Sequence, residues 1–123
     1  MVEGSVESGE QVDLVSLLQR VEDDKELLAE MVQLFIDDLP TLINTMHDAL
    51  QRGNMLVLER SAHSLKGAAG NLSAKHAAAA AMKLEKDANN NDAESAKESL
   101  AGVEQAMKIL VPALSALCQG VSK

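Results

Sequence analysis

The segment AHSLKGAAGNL contains a histidine whose neighbours favour chemistry at its ring. His63 is followed at helical spacing by Lys66, Gly67 and Gly70. At about 100° per residue, Leu65 lies roughly 160° from His63 on a helix, so the histidine is predicted to face away from the apolar side. Each glycine inside a helix costs about 1 kcal/mol relative to alanine. Bare backbone beside an exposed imidazole therefore indicates that something large must reach the ring.

The chemistry that suits this histidine is phosphoryl transfer. A neutral imidazole is a nucleophile near neutral pH, and its nitrogen can carry a phosphoryl group. Such transfer needs mainly positioning and stabilisation of charge on the transferring oxygens. Lys66 and Arg60 can supply positive charge, and Glu59 can either orient the imidazole or only solvate the surface. The sequence has no nucleotide-binding motif such as G-x-x-x-x-G-K, so phosphate donor and acceptor are both expected to be other proteins.

Helices with short connections are predicted to position the histidine. A short helix is predicted from Asp13 to Arg20, followed by a helix that is capped by Asp23 or Asp24 and stops at Gly53-Asn54. At Pro40 either this helix kinks or two helices meet, and the lack of a nearby glycine or polar cluster favours one kinked helix. The remaining predicted helices are the histidine helix from about Met55 to Leu72, a helix capped by Ser73 and reaching Ala88, and a last helix from about Ala93 to Cys118 that bends at Pro112. Short loops between long helices favour antiparallel neighbours. The predicted fold is therefore all-α, an antiparallel four-helix bundle with a short N-terminal capping helix.

Length and composition are consistent with one small helical domain. The chain has 123 residues, one phenylalanine, and neither tryptophan nor tyrosine, whereas strands favour aromatic and β-branched residues. Residues 1–10 are rich in Gly, Ser and Glu and are predicted to be a flexible N-terminal tail. Residues 11–119 are expected to form the bundle.

Net charge and cysteine content restrict the expected binding partners and the expected cellular location. The net charge of −8 disfavours nucleic acid, which is bound by neutralising its phosphates. Cys118 is the only cysteine, so an internal disulfide is excluded and a reducing cytoplasm is the expected location. No apolar run is expected to approach the ~20 residues that cross a bilayer, so no membrane segment is predicted.

The segment His63-Ser64-Leu65-Lys66-Gly67, followed by AAGNL and Ala74, resembles the motif of histidine-containing phosphotransfer (HPt) domains. The likeness extends from about Asp13 to Leu117 and includes Phe35 to Pro40, the Gly53-Asn54 turn, Ala62 and Leu84-Glu85. The resemblance implies a phosphorelay intermediate whose exposed histidine exchanges phosphate with the aspartate of a response-regulator receiver domain, with a hybrid sensor histidine kinase as a second partner. It also implies that Mg²⁺ is bound by the receiver and that the carrier itself has no cofactor.

By resemblance, His63 is the phospho-acceptor, Lys66 assists electrostatically and Gly67 gives access to the ring. Ser73 departs from the family, many members of which have glycine there, and the departure concerns the geometry of the turn. Residues expected to contact the partner are Leu56, Glu59, Arg60, Ser64, Gly70 and Asn71. A monomer is expected because the His63 face must stay free.

Two other classes of function compete with a phosphate carrier. A non-catalytic helical adaptor would dock on a receiver or kinase without taking phosphate, and the presence of His63, Lys66 and Gly67 disfavours it. A metal-carboxylate bundle needs Glu-x-x-His pairs, and the residues three before the histidines are Asn44, Arg60 and Ser73. The other histidines, His47 and His76, are predicted to be surface residues, and the methionines, Met82 among them, to fill the core.

Overall fold

The computed structural model describes residues 13–122, which form five α-helices and, within that range, no strand. The helices are α1 Leu14–Arg20, α2 Lys25–Arg52, α3 Met55–Asn71, α4 Lys75–Asn89 and α5 Ala93–Ser122. The predicted all-α class is confirmed. The tail predicted for residues 1–10 lies outside the described residues.

Short-range signals at the helix ends set most of the boundaries. Asp13 caps α1 by accepting from the Ser16 backbone N–H at 3.1 Å. Asp24, rather than Asp23, caps α2. Gly53 ends α2 in the left-handed conformation at φ 72°, and Asn54 caps α3 through the Val57 N–H. These features place the start of the histidine helix one residue after its cap, as predicted.

The junction between α3 and α4 differs from its prediction. Ser73 does not cap α4, because its backbone is left-handed, with φ 57°. The N-cap is Ala74, which makes no side-chain cap bond. The Ser73 carbonyl instead accepts from the Asp13 N–H at 3.0 Å, and its hydroxyl lies 3.4 Å from that of Ser16. The turn therefore attaches the start of α1 to the junction.

Both prolines lie inside continuous helices. Pro40 is within α2 and Pro112 within α5, so the prediction of a single helix across Pro40 is confirmed. The asparagine cluster forms the predicted turn, in which Asn91 has φ 58° and Asp92 accepts from the Ser95 N–H at 3.1 Å.

The four longer helices contact one another in a closed ring: α2 with α3, α3 with α4, α4 with α5, and α5 with α2. Their inward faces carry leucine and alanine, and the largest fully buried side chains are Leu17, Leu28, Met46, Leu58, Leu65, Leu84, Leu100, Leu110 and Leu114 together with Val32 and Val103. The prediction that the methionines fill the core is wrong for Met82, which is 42% exposed.

One helix meets the length and hydropathy criteria for crossing a membrane. An 18-residue window within Ala93–Cys118 of α5 has a mean hydropathy of 1.3, whereas the sequence predicted no apolar run close to the length of a membrane span. The criteria are weak indications of a span, because a core helix of a soluble protein meets them too. In this fold the apolar face of α5 packs into the core through Leu100, Val103, Leu110 and Leu114.

Candidate functional site

Packing of α3 on the core fixes the direction of His63. Leu58, Ala62, Leu65 and Ala69 are fully buried and form the inward stripe of the helix. The imidazole lies on the opposite side, and its side chain is 66% exposed. The predicted outward orientation of His63 is confirmed.

Glu85 of α4 lies beside the imidazole and joins it to the nearby lysine. Its Oε2 is 2.8 Å from His63 Nδ1, and its Oε1 is 2.7 Å from Lys66 Nζ. The hydrogen bond from Lys66 lowers the pKa of Glu85 below its ordinary value of 4.5, burial opposes this, and the bond to His63 lowers the pKa further. Glu85 is therefore an ionised acceptor at neutral pH, held on both oxygens.

The contact with Glu85 selects one tautomer of the neutral ring. A carboxylate without a proton can only accept, so Nδ1 of His63 must carry the hydrogen. Nε2 then has the free lone pair. The side chain that carries this nitrogen is mostly exposed.

The carboxylate that orients the imidazole is Glu85 and not Glu59. Glu59 accepts instead from the side-chain amide of Asn89 at 2.9 Å. Spacing along α3 suggested Glu59, which is one turn from His63, whereas Glu85 is 22 residues away in sequence. The only sequence signal for Glu85 was its place directly after Leu84. Because Leu84 is buried and successive residues of a helix lie about 100° apart, Glu85 lies at the side of the inward face of α4.

The glycines after His63 are not required by packing within the described chain. A Cβ built at Gly67 or Gly70 meets no atom within 4 Å. The same holds for Gly102 on α5. The absence of side chains at Gly67 and Gly70 thus leaves open space along α3 on the side of the imidazole.

The other predicted site residues divide into two groups. Leu56, Glu59, Arg60 and Ser64 line an open cleft of about 410 Å³ together with His63 and Glu85. Leu56 is 54% exposed, and Arg60 and Ser64 are exposed too. Gly70 and Asn71 are not among the residues that line the cleft, and lie further along α3.

A second, more apolar groove adjoins Ser64 on the other side of α3. Its volume is about 400 Å³, and it is lined by Phe35, Asp38, Leu39, Thr41, Leu42, Thr45, Ser64, Leu65 and Ala68. The groove lies between α2 and α3. The sequence alone did not predict the α2 part of this surface, because residues of two separate helices form it.

The remaining histidines lie on the surface, as predicted. His47 and His76 are exposed, and His47 Nε2 is 3.0 Å from Glu104. Within residues 13–122, no group of three or more His, Cys, Asp or Glu side chains could hold a metal ion.

Comparison with known families decides the class of this site. A family model described as Hpt domain matches residues 30–121, which is most of the chain. The chain belongs to the Hpt domain family. HPt domains take part in histidine phosphotransfer in two-component phosphorelays, and they are phosphotransfer carriers rather than classical enzymes. Comparisons with curated proteins and with solved structures found no match.

Proposed function

We propose that this HPt protein is a phosphorelay intermediate that accepts a phosphoryl group on His63 and exchanges it with the aspartate of a response-regulator receiver domain. The observation that carries the proposal is the exposed imidazole held through Nδ1 by Glu85 at 2.8 Å. This contact leaves the lone pair of Nε2 to attack phosphorus. The positive ring that forms on phosphorylation is stabilised by the carboxylate that already faces Nδ1.

Lys66 and Gly67 support the same reaction in different ways. Lys66 places positive charge one turn after His63 and holds Glu85 at 2.7 Å, so it assists electrostatically. Gly67 leaves the approach to the ring open, since no neighbouring atom in the chain requires its lack of a side chain.

The surface around His63 has the character of a docking site. Leu56 is an exposed leucine at one end of the cleft, and the apolar groove between α2 and α3 begins at Ser64. We propose that the receiver covers both, with Arg60, Ser64, Gly70 and Asn71 at its contacts. Glu59 belongs to the same surface, where Asn89 holds it in place.

We extend the proposal to the context of the domain. Residues 11–119 form the functional unit, with the long helices arranged as an antiparallel four-helix bundle and α1 at one end. The protein acts as a cytoplasmic monomer between a hybrid sensor histidine kinase and a response regulator, without nucleic acid or membrane as a partner. It carries no nucleotide site and no cofactor of its own, and Mg²⁺ is bound by the receiver.

The substitution His63→Gln tests the proposed acceptor. Glutamine keeps a polar side chain at an exposed position, so helix content and unfolding are expected to stay close to wild type, whereas uptake of acid-labile phosphate from a phosphorylated receiver is lost. Phosphate uptake is followed by gel electrophoresis with a labelled receiver. The matched control is His47→Gln, which removes another exposed histidine that pairs with a glutamate, and it should be labelled at the wild-type rate.

The same experiment separates a carrier from a non-catalytic adaptor. An adaptor would bind the receiver equally well with or without His63 and would take no phosphate in either form. Labelling of His63→Gln at the wild-type rate would disprove His63 as the acceptor.

A further inference from the structure

Two cationic side chains, Arg60 and Lys66, lie near His63 on α3, and only Arg60 lines the cleft beside the imidazole. Its lining consists of Leu56, Glu59, Arg60, His63, Ser64 and Glu85. Lys66 is not part of that lining. On α3, Arg60 precedes His63 by three residues and Lys66 follows it by three, so the two cations lie one turn away in opposite directions along the helix.

The two cations also differ in what they bind. Lys66 is paired with Glu85 at 2.7 Å, and only 33% of its side chain is exposed. Arg60 is exposed, and none of the ion pairs or hydrogen bonds within residues 13–122 involves its guanidinium. The positive charge of Lys66 is thus shared with a carboxylate, whereas that of Arg60 is available to an incoming anion.

The cleft needs such a cation if a phosphoryl group is to enter it. Two of its lining residues, Glu59 and Glu85, are carboxylates, and a phosphoryl group adds close to two further negative charges. Arg60 is the cation among the residues that line the cleft. Its planar fork of N–H donors matches phosphate oxygens better than an ammonium does.

From this arrangement, and resting on the proposed function of His63, we propose that Arg60 is a catalytic residue that binds the transferring phosphoryl oxygens. The electrostatic assistance of Lys66 acts through its ion pair with Glu85, which makes Lys66 a positioning residue. In the transfer step the Nε2 lone pair forms the N–P bond while the P–O bond to the receiver aspartate breaks. The electron pair of that bond returns to the aspartate carboxylate, and the proton on Nδ1 stays between His63 and Glu85. Arg60 donates hydrogen bonds to the non-bridging oxygens and exchanges no proton.

The assignment is tested with two phosphoryl donors. Phosphoramidate is a small donor that needs no docking surface, whereas a phosphorylated receiver needs one. Arg60→Gln is expected to slow labelling of His63 from both donors by about tenfold or more, because a donor to the transferring oxygens is lost. Arg60→Lys keeps the charge without the fork and should restore part of the rate. Arg20→Gln removes the same charge from α1 and serves as the matched control with wild-type rates.

Lys66→Gln is distinguished from Arg60→Gln by the state of the imidazole. Loss of Lys66 frees Oε1 of Glu85 and loosens the carboxylate that faces Nδ1, so the ¹⁵N shifts of His63 in long-range ¹H–¹⁵N spectra should change. In Arg60→Gln these signals should remain those of the wild type while the transfer rate falls.

Three outcomes would overturn the assignment or its basis. Wild-type rates of Arg60→Gln with both donors would show that Arg60 does not meet the phosphoryl group. A rate reduced only with the receiver would make Arg60 a docking contact instead. A wild-type protein that takes phosphate from neither donor would refute the proposed function itself. Wild type is therefore assayed first, so that failure of the proposed function is distinguished from failure of the Arg60 assignment.

Discussion

At the scale of single residues, Glu85 both positions the imidazole of His63 and places a negative charge beside it. Each of its oxygens has its own partner, His63 Nδ1 at 2.8 Å and Lys66 Nζ at 2.7 Å. With 19% of its side chain exposed, the carboxylate is partly shielded from water, which strengthens both contacts. Under the proposed function, a ring held in this way presents the same nitrogen to every partner, and the direction of attack is set before a partner docks.

Gly67 provides a test of access at this scale. Gly67→Ala is expected to raise the free energy of unfolding by about 1 kcal/mol, since alanine favours a helix and its Cβ would meet no atom within 4 Å. The same change should slow phosphotransfer from a receiver, and Gly67→Leu should slow it further by obstructing the approach to His63. Urea unfolding and transfer rates measure the two effects.

Gly102 is the matched control, because it is also a helical glycine with open space around its missing Cβ. Gly102→Ala should give a similar gain in stability with unchanged transfer. If Gly67→Leu transferred phosphate as fast as wild type, the glycine would not be needed for access.

At the scale of elements, the α3–α4 junction carries a backbone conformation that its residue does not favour. Ser73 has φ 57° and is nearly buried. A non-glycine residue in the left-handed region is strained, and only glycine adopts it freely. Serine at this position therefore adopts the left-handed turn at a cost in free energy that glycine would not have.

Ser73→Gly is expected to raise the free energy of unfolding by about 0.5–1 kcal/mol, because it relieves this strain and loses only a long hydroxyl contact to Ser16. The midpoint of urea unfolding measures the change. Ser115→Gly, in the interior of α5, is the control and should lower stability by about 0.5 kcal/mol. A destabilised Ser73→Gly would show that the hydroxyl contact outweighs the strain.

The features that sequence predicted correctly are those encoded within a few residues. Asp24, Gly53 and Asn54 fix helix ends through contacts with their immediate neighbours, and the leucine spacing of α3 fixes the direction of His63. Glu85 was missed as the partner of His63, since that contact depends on how α4 packs against α3. The capping role predicted for Ser73 was wrong for a similar reason, because the turn there also binds the start of α1.

At the scale of the whole molecule, ionised carboxylates lie where helices begin or where two helices contact each other. Asp13 caps α1 and lies 3.4 Å from Lys75 of α4, Asp92 lies at the start of α5, and Glu85 connects α4 to α3. The pKa of each is lowered: by the Ser16 backbone N–H at Asp13, by the hydrogen bond from Lys66 at Glu85, and by the Ser95 backbone N–H at Asp92. Ionised carboxylates therefore contribute to the start of α1, to the start of α5 and to the contact between α3 and α4.

This arrangement predicts a specific loss of stability in acid. A carboxylate with a lowered pKa in the folded state binds fewer protons there than in the unfolded chain. Its stabilisation is therefore present above the ordinary pKa values of 3.8 for Asp and 4.5 for Glu, and it is lost as pH falls through the folded pKa.

Asp92→Asn keeps a good N-cap but does not titrate. In urea unfolding at constant ionic strength, wild type should exceed Asp92→Asn in stability at pH 7, and the difference should shrink as pH falls below 3.8. Asn44→Gln exchanges two amides that do not titrate at an exposed position of α2; it is the control, and its difference from wild type should not depend on pH. If the Asp92→Asn difference were as large at pH 3 as at pH 7, the charge of Asp92 would not be what stabilises the start of α5.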